Sequence, residues 1–354
     1  MTLMPAEWAP HDATWMAFPT PNATVGEDGS PTLDAARRAW SAVARVIAES
    51  EPVHLLVSPA DRDAAEELLG GVVKILEADL DDAWLRDSGP TFVRSGPELR
   101  AGGELRAVSW RFNGWGAQPW ATWEHDARVA SRVAGLVGAP LDRSPLTQEG
   151  GGFHVDGDGT VLLTDTVQLD PARNPGWTRA DVEAEIHARL GTSTAIWLPR
   201  GLTADYGEFG TRGHVDIVAA FTRPGTVVVH TQADPGHPDH EVTAEVTEIL
   251  RTAVDARGRR LEVLELPAPT VAEVGGRLVD YSYVNHYVAN RVVALCAFDD
   301  PHDAVAADVL ARAYPDRRVV LVDARDIFRF GGGVHCITQQ QPAVRPSSGE
   351  VRWT

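Results

Sequence analysis

The sequence predicts a mixed α/β fold, because helical and extended patterns alternate along its whole length. Apolar residues recur at helical spacing over residues 34–50, 61–69, 124–137, 178–190, 240–256 and 301–313. Short apolar runs typical of buried strands lie at residues 52–58, 72–76, 160–164, 194–198, 226–230, 291–298 and 318–322. No Ser/Gly-rich or charged linker interrupts this order. We therefore expect one domain spanning residues 1–354.

A recurring motif predicts that the domain is built from repeated units. In five places a polar residue stands just ahead of a strand-like run, and Asp87, His154, His214, Asn285 and His335 mark these places. The spacing is roughly 50–70 residues, which suggests five supersecondary modules arranged in a ring. A ring would bring the five polar motifs to one centre.

Charge and composition exclude several classes of protein. The 32 basic residues are outnumbered by 50 acidic ones, giving a net charge of −18. This balance argues against nucleic-acid binding and favours a small cationic substrate. No run reaches the roughly 18–20 apolar residues of a membrane span, and the N-terminus has no signal-peptide pattern. We expect a cytoplasmic protein that does not bind membranes.

The stretch from Phe330 to Gln341, which contains three glycines followed by His335 and Cys336, is the first candidate for chemistry. With two cysteines in the chain, a disulfide framework or a cysteine zinc site is excluded. Cys296 lies in an apolar run and is expected in the core. Cys336 is either another buried cysteine or a nucleophile whose thiolate is favoured by a positive neighbour or a bound cation.

Other polar residues would complete a site around Cys336. His214 can serve as a general acid and base near neutral pH, and Asp216 would share its face if the segment is a strand. Asp87 and Glu149 offer two more carboxylates. Several acids give no advantage to a cysteine protease, whereas carboxylates can grip a planar guanidinium in bidentate fashion. Each of these residues considered alone could also be a capping or turn residue.

Metal and nucleotide sites are disfavoured by spacing. Among His154, His214 and His335, no two have the i, i+4 or i, i+2 spacing of a zinc site. The glycine runs at residues 150–152 and 331–333 do not match a dinucleotide or phosphate-loop fingerprint. Most tryptophans are expected in the core, and Trp84 is the best candidate for stacking on a cation.

Taken jointly, the motifs resemble the agmatine deiminase family, which is related to bacterial-type peptidylarginine deiminases within the guanidino-group-modifying superfamily. The matching stretches are MPAEWAPHDATWMAFP, WLRDSGPTFV, WRFNGWG, QEGGGFHVDGDGTVLLTD with ARNPGW, GHVDIVAAF, YSYVNHYVAN and YPDRRVVLVDARDIFRFGGGVHCITQQQP. They follow the family order and span nearly the whole chain.

The resemblance implies a five-bladed α/β-propeller (pentein) of ββαβ units that hydrolyses a guanidino group to a ureido group. By similarity, Cys336 attacks the guanidinium carbon, His214 protonates the departing ammonia, and water resolves a covalent thiouronium intermediate. Asp87 and Asp216 would hold the guanidinium nitrogens, with Trp84 and Glu149 lining the pocket. No metal or organic cofactor is implied. Agmatine would yield N-carbamoylputrescine, a step toward putrescine, and a homodimer is suggested.

One departure from the family pattern bears on the substrate. Where the family resembles E-T-D-G-H, this chain has Gly210-Thr-Arg212-Gly-His214. An ammonium tail near Arg212 would be repelled, unless Asp205 or Glu208 pairs with Arg212 or meets the amine. The alternative substrate is a guanidino acid, or free or peptidyl arginine, whose carboxylate binds Arg212. Two more hypotheses are a non-catalytic binder of cationic ligands and an amidinotransferase.

Overall fold

The computed structural model describes residues 1–96, residue 99 and residues 103–344. Within them the helices are α1 Pro31–Ala48, α2 Arg62–Leu69, α3 Leu85–Ser88, α4 Gly114–Ala117, α5 Val129–Val137, α6 Asp165–Gln168, α7 Arg179–Leu190, α8 Asp239–Thr252, α9 His302–Ala313 and α10 Arg325–Arg329. The strands are β1 Thr2–Leu3, β2 His11–Ala17, β3 Val53–Val57, β4 Lys74–Glu77, β5 Thr91–Ser95, β6 Glu104–Arg111, β7 Leu141–Thr147, β8 Phe153–Val155, β9 Thr160–Thr164, β10 Thr194–Leu198, β11 Ala219–Arg223, β12 Thr226–Thr231, β13 Glu262–Pro267, β14 Glu273–Val274, β15 Arg277–Leu278, β16 Tyr287–Val288, β17 Val292–Ala297, β18 Arg318–Asp323 and β19 Thr338–Pro342.

The expected alternation of helices and strands is confirmed, and local signals explain several boundaries. Helix α1 begins earlier than expected because the Ser30 hydroxyl accepts from the Leu33 amide and a proline occupies the first turn. Helix α7 begins at a capping box formed by Thr178 and Asp181. The segment predicted as a helix from residue 124 forms a short 3-10 turn at Asp126–Arg128 before α5 starts.

Five small sheets in the described part of the chain share one pattern. In each, an antiparallel pair of strands is followed, after a helix, by a third strand that pairs in parallel with the second. The five sets of three strands are β5–β6–β7, β8–β9–β10, β11–β12–β13, β16–β17–β18 and β19–β2–β3. The fifth set joins the two ends of the chain, because β19 pairs with β2. The ββαβ module therefore occurs five times.

The core lies between the sheets and their helices. Its largest buried side chains include Trp15, Trp40, Tyr283, Tyr287 and Phe221. Cys296 is buried in β17, as expected for a core residue. Among the residues that the structure describes, no helix is long and apolar enough to cross a membrane.

Candidate active site

The segments that lead into the first strands of the five modules meet at one place. Asp87 precedes β5, Glu149 precedes β8, His214 precedes β11, Asn285 precedes β16 and Cys336 precedes β19. Contacts link them: the Asp87 carboxylate accepts from the Gly151 amide (3.0 Å), Glu149 contacts His214, and Asn285 contacts Cys336. The fivefold spacing of the sequence thus corresponds to one buried cluster.

Asp87 lies in the short helix α3 and is held by two donors. The indole Nε1 of Trp115 donates to Oδ2 at 2.8 Å, and the amide of Gly151 donates to Oδ1. Trp115 adopts a positive φ of 55°, which belongs to the irregular turn labelled α4. Burial, reinforced by the nearby charges of Glu149 and Asp216, raises the pKa of Asp87. A bound cation would therefore be attracted to this carboxylate.

His214 and Asp216 do not lie in a strand, which was the condition under which their spacing would put them on one face. His214 immediately precedes a 3-10 helix at Val215–Ile217, because β11 starts only at Ala219. They nevertheless face the same space: a Cβ added to Gly151 would stand 2.5 Å from His214 Nδ1 and 2.9 Å from Asp216 Oδ2. A side chain at Gly151 would collide with both groups, which explains a glycine here.

The imidazole of His214 is surrounded by carboxylates. Its Nε2 lies 3.3 Å from Glu149 Oε2, and its Nδ1 lies 4.0 Å from Asp87 Oδ1. Burial alone would lower the pKa of His214, but Asp87, Glu149 and Asp216 raise it to about 9. The ring is therefore an imidazolium at neutral pH, with Nδ1 buried and without a hydrogen-bond partner among the described residues.

Glu149 is buried beside Arg173, which the sequence reasoning missed. Arg173 Nε donates to both carboxylate oxygens of Glu149 at 3.0 Å, its Nη1 donates to Asp170 and its Nη2 donates to the Thr211 carbonyl. Burial opposes ionisation of Glu149, but Arg173 and His214 lower its pKa below the usual value. Glu149 thus orients His214 while Arg173 supplies the counter-charge.

Cys336 stands between an acid and an amide. Its Sγ lies 3.5 Å from Asp216 Oδ2 and 3.2 Å from the Nδ2 donor of Asn285. Burial and the charges of Asp216 and Asp87 raise the pKa of the Cys336 thiol well above its usual value, while the Asn285 hydrogen bond opposes that rise. The free protein therefore holds a thiol, and a cation in the site would favour the thiolate.

Trp84 and the second glycine of the triple-glycine segment border the thiol. A Cβ on Gly332 would lie 2.8 Å from the Trp84 ring and 3.0 Å from Cys336 Sγ. Trp84 itself packs edge-on against Trp40 at 5.2 Å between ring centroids. Gly331 has a φ of 112°, as the glycine run suggested. The absence of a side chain at Gly332 leaves space between the indole and the sulfur.

Arg212 lies at the edge of the cluster, and the structure corrects the pairing considered for it. Its side chain is 41% exposed, with Nη2 donating to Gln118 Oε1 (3.2 Å) and Nη1 3.9 Å from Asp170. The Asp205 carboxylate instead accepts from Thr211 and from the Gly213 amide. Glu208 pairs with Arg277 at 3.2 Å. Both acids are therefore engaged away from the Arg212 guanidinium.

The fold and the cluster together define an α/β enzyme site with a buried thiol and a charged imidazole. The family of Porphyromonas-type peptidyl-arginine deiminases matches residues 3–342. A Streptomyces coelicolor protein, provisionally named an agmatine deiminase, is 62% identical over 340 residues, covering 96% of this chain and 98% of the relative. The agmatine deiminase of Ectopseudomonas mendocina is 38% identical over 364 aligned positions, covering 96% of this chain and 95% of the relative.

Solved structures agree with the sequence comparison. The agmatine deiminase of Enterococcus faecalis, in a structure described as catalysing its reaction, superposes with a TM-score of 0.89 at 30% identity, covering 97% of this chain and 96% of that one. This chain belongs to the Porphyromonas-type peptidyl-arginine deiminase family.

Proposed function

We propose that this protein hydrolyses agmatine to N-carbamoylputrescine and ammonia, a step toward putrescine. The observation that carries the proposal is the buried cluster of one thiol, one imidazolium and three carboxylates, Asp87, Glu149 and Asp216. Asp216 Oδ1 and His214 Nδ1 are buried without a hydrogen-bond partner in the described part of the chain. Agmatine deiminases from other bacteria match over nearly the full length.

The guanidinium would bind between Asp87 and Asp216. Asp216 Oδ1 has no hydrogen-bond partner among the described residues and would accept from its N–H groups. Burial and the charges of Glu149 and Asp216 raise the pKa of Asp87, so a bound cation would stabilise its ionised form. Trp84 would cover one face of the planar cation beside Gly332. This arrangement would bring the central carbon near the Cys336 sulfur.

Binding of the cation would activate the nucleophile. The carboxylates that raise the pKa of the Cys336 thiol are the ones that the guanidinium neutralises, so the thiol proton leaves to solvent when substrate binds. The thiolate then forms a C–S bond to the guanidinium carbon. His214, oriented by Glu149 through Nε2, donates its Nδ1 proton to the departing nitrogen, and the C–N bond breaks to release ammonia.

The second half of the reaction uses the same imidazole in its neutral form. His214 accepts a proton from water, whose oxygen attacks the thiouronium carbon. The C–S bond breaks and the sulfur leaves as thiolate, while the remaining hydroxyl proton of the adduct passes to solvent, and the neutral ureido product is released. No metal or organic cofactor enters any of these steps.

The far end of the substrate would meet Asp280. This residue lines a cavity of about 690 Å³ together with Gly210 and Gly331. Gly331 is followed in the chain by Gly332, which borders the Cys336 thiol. Burial and then the charge of Asp205 raise the pKa of Asp280 to about 7. An ammonium group would relieve that repulsion, and Arg212 is not among the residues that line this cavity.

A guanidino acid is the second candidate substrate, because the Arg212 side chain is partly exposed and its contact with Asp170 is a long 3.9 Å. Initial-rate assays of ammonia release with agmatine, arginine and 4-guanidinobutyrate separate the two. We expect agmatine to give the highest kcat/KM, and Asp280→Asn to raise KM for agmatine while sparing 4-guanidinobutyrate. A higher kcat/KM for 4-guanidinobutyrate would identify Arg212 as a carboxylate site instead.

Cys336→Ser is the control that separates a deiminase from a non-catalytic binder and from an amidinotransferase. A binder without activity would release no ammonia with either protein, and an amidinotransferase would release none but would pass the amidino group to an added amine. We infer that the five ββαβ modules close into the ring of a five-bladed propeller within one domain. The homodimer, the cytoplasmic location and the absence of nucleic-acid binding stay predictions.

A further inference from the structure

A buried row of charged groups continues from the cluster into the interior. His335 Nδ1 lies 2.8 Å from Asp216 Oδ2, and His335 Nε2 lies 2.8 Å from Glu7 Oε1. Arg86 contacts the same Glu7 oxygen at 3.3 Å, and its Nε donates to the His335 carbonyl. These four residues are each at most 5% exposed. Of these four residues, only Asp216 has a role in the reaction proposed above.

This row is a hydrogen-bond chain rather than a metal site, although Glu7, His154 and His335 have ligand atoms within 4.8 Å of one another. The Phe221 amide donates to His154 Nδ1 at 3.2 Å, so the proton of the neutral ring sits on Nε2. That Nε2 faces Glu7 at 3.6 Å and has no lone pair for a metal. The Arg86 guanidinium beside Glu7 would also repel a cation.

The contacts fix the charge of His335. Two different carboxylates approach its two ring nitrogens at hydrogen-bond distance, so both nitrogens donate and the ring is an imidazolium. Burial and Arg86 act against this, but Glu7 and Asp216 raise the pKa of His335 above its usual value. The charges of the row therefore cancel, because Glu7 and Asp216 are anions and His335 and Arg86 are cations.

The remaining groups around the ring do not disturb this assignment. His154 is neutral by the hydrogen bond just described. Burial lowers the pKa of His286 to about 4, so that ring is neutral as well. The raised pKa of the Cys336 thiol keeps it uncharged in the free protein. The charged groups that face His335 are therefore Glu7, Asp216 and Arg86.

His335 determines which oxygen of Asp216 is free. Oδ2 is occupied by the ring and lies against Cys336 Sγ, whereas Oδ1 has no partner in the described residues. The main chain of His335 is fixed too, since its amide donates to Asn285 Oδ1 at 2.9 Å. Without the imidazolium, a carboxylate that is only 2% exposed would lose its hydrogen-bond donor and take up a proton more readily.

We propose that His335, held as an imidazolium by Glu7, is a positioning residue that keeps Asp216 ionised and its Oδ1 directed at the substrate guanidinium. This role rests on the guanidino chemistry proposed above. The histidine beside the nucleophile thereby has a defined role. Through His335, Glu7 near the N-terminus contributes to binding of the substrate cation by Asp216.

Two variants of His335 separate its two hydrogen bonds. In His335→Asn, the side-chain NH2 can take the position of the ring Nδ1 and keep the hydrogen bond to Asp216. In His335→Gln, the NH2 takes the position of the ring Nε2, reaches toward Glu7, and the hydrogen bond to Asp216 is lost. The readout is inactivation by 2-chloroacetamidine, whose cationic amidine needs Asp216, relative to neutral iodoacetamide, which does not. In both reagents the Cys336 thiolate displaces the halide and forms an S–C bond. This ratio of rates requires no turnover of agmatine.

We expect His335→Gln to lower the ratio by about 10-fold or more and His335→Asn to keep it within about 3-fold of the parent protein. Glu7→Gln is the second test, because it removes a charge without touching the substrate space. It should move the acid limb of the 2-chloroacetamidine to iodoacetamide rate ratio upward by about one pH unit or more, because ionisation of the Cys336 thiol affects both reagents and cancels in the ratio. A folded His335→Gln protein with the parent ratio, or a Glu7→Gln protein with the parent acid limb, would overturn the proposal.

The same experiments distinguish this proposal from the proposed function. If the parent protein prefers the amidine reagent but hydrolyses no agmatine, the function is wrong while the role of His335 stands. If the parent hydrolyses agmatine and the variants leave both the inactivation ratio and the kcat/KM profile unchanged, only the role of His335 is wrong.

Discussion

Arg173 is the counter-charge of the buried acids next to His214, and its removal is a sharp test of the electrostatics. Its side chain is fully buried and donates to Glu149, Asp170 and the Thr211 carbonyl. Arg173→Met preserves much of the aliphatic stem but takes the buried guanidinium away from two acids, Glu149 and Asp170. Among the residues that the structure describes, the Glu149 carboxylate would keep only His214 as a partner.

The expected loss is large. Removing one partner of a buried ion pair costs about 3–5 kcal/mol, because a charge remains buried without compensation. A domain is typically stable by about 5–15 kcal/mol, so this single change removes a substantial share. The matched control is Arg251→Met: Arg251 and Glu265 are each about half exposed, and such pairs contribute roughly 0–1 kcal/mol.

Equilibrium unfolding in urea, followed by tryptophan fluorescence, measures both variants. We expect a clearly lower midpoint for Arg173→Met and nearly the parent midpoint for Arg251→Met. Adding Glu149→Gln to Arg173→Met should recover part of the loss, since it removes one of the stranded charges. If Arg173→Met and Arg251→Met lowered the midpoint equally, the buried network would not be the stabilising feature described above.

Two further substitutions and two pH profiles test the site. Gly332→Ala places a methyl group 3.0 Å from Cys336 Sγ and should lower kcat/KM for agmatine by about 100-fold; an unchanged value would show that substrate does not use this space. Asn285→Asp replaces the donor at 3.2 Å from the sulfur with a carboxylate, so the rate of Cys336 alkylation by iodoacetamide at pH 8 should fall about 10-fold or more, and a faster rate would contradict the assigned contact. Because the His214 pKa is about 9, kcat/KM should fall as pH rises through about 9, where the general acid is lost. The same raised pKa is a contribution to stability that is fully present below the pKa of His in the unfolded chain, about 6.5, and is lost as pH rises through about 9. The free energy of unfolding should therefore decrease between these two pH values. A flat profile would argue against the charged His214 ring.

Much of the fold was predictable because its local signals are strong. The helix ending at Leu190 and the strand Thr194–Leu198 follow from apolar spacing, and the capping box at Thr178 marks the helix start. The five-module spacing anticipated that motifs far apart in the chain, such as those at Asp87 and Cys336, would meet. The pairing of β19 with β2 could not be inferred from periodicity, because it joins opposite ends of the chain.

The candidate residues were recognisable by type and motif, but their partners were not. Arg173 and Glu7 look like ordinary surface charges in the sequence, and only the tertiary structure places them against Glu149 and His335. Spacing alone could not show that His154 and His335, which are distant in sequence, both lie against the Glu7 carboxylate. The shared strand face considered for His214 and Asp216 does not occur, because the chain turns through a 3-10 helix before β11.

The central claim is that Cys336 attacks the guanidinium carbon of agmatine, and a covalent intermediate on this residue tests it most directly. The protein is mixed with agmatine, quenched with acid within the first turnover, digested and analysed by mass spectrometry. The account predicts that the peptide containing Cys336 gains the mass of agmatine less ammonia, and that Cys336→Ser gains nothing. Formation of N-carbamoylputrescine by Cys336→Ser at the parent rate, or an adduct on Cys296 instead, would contradict it.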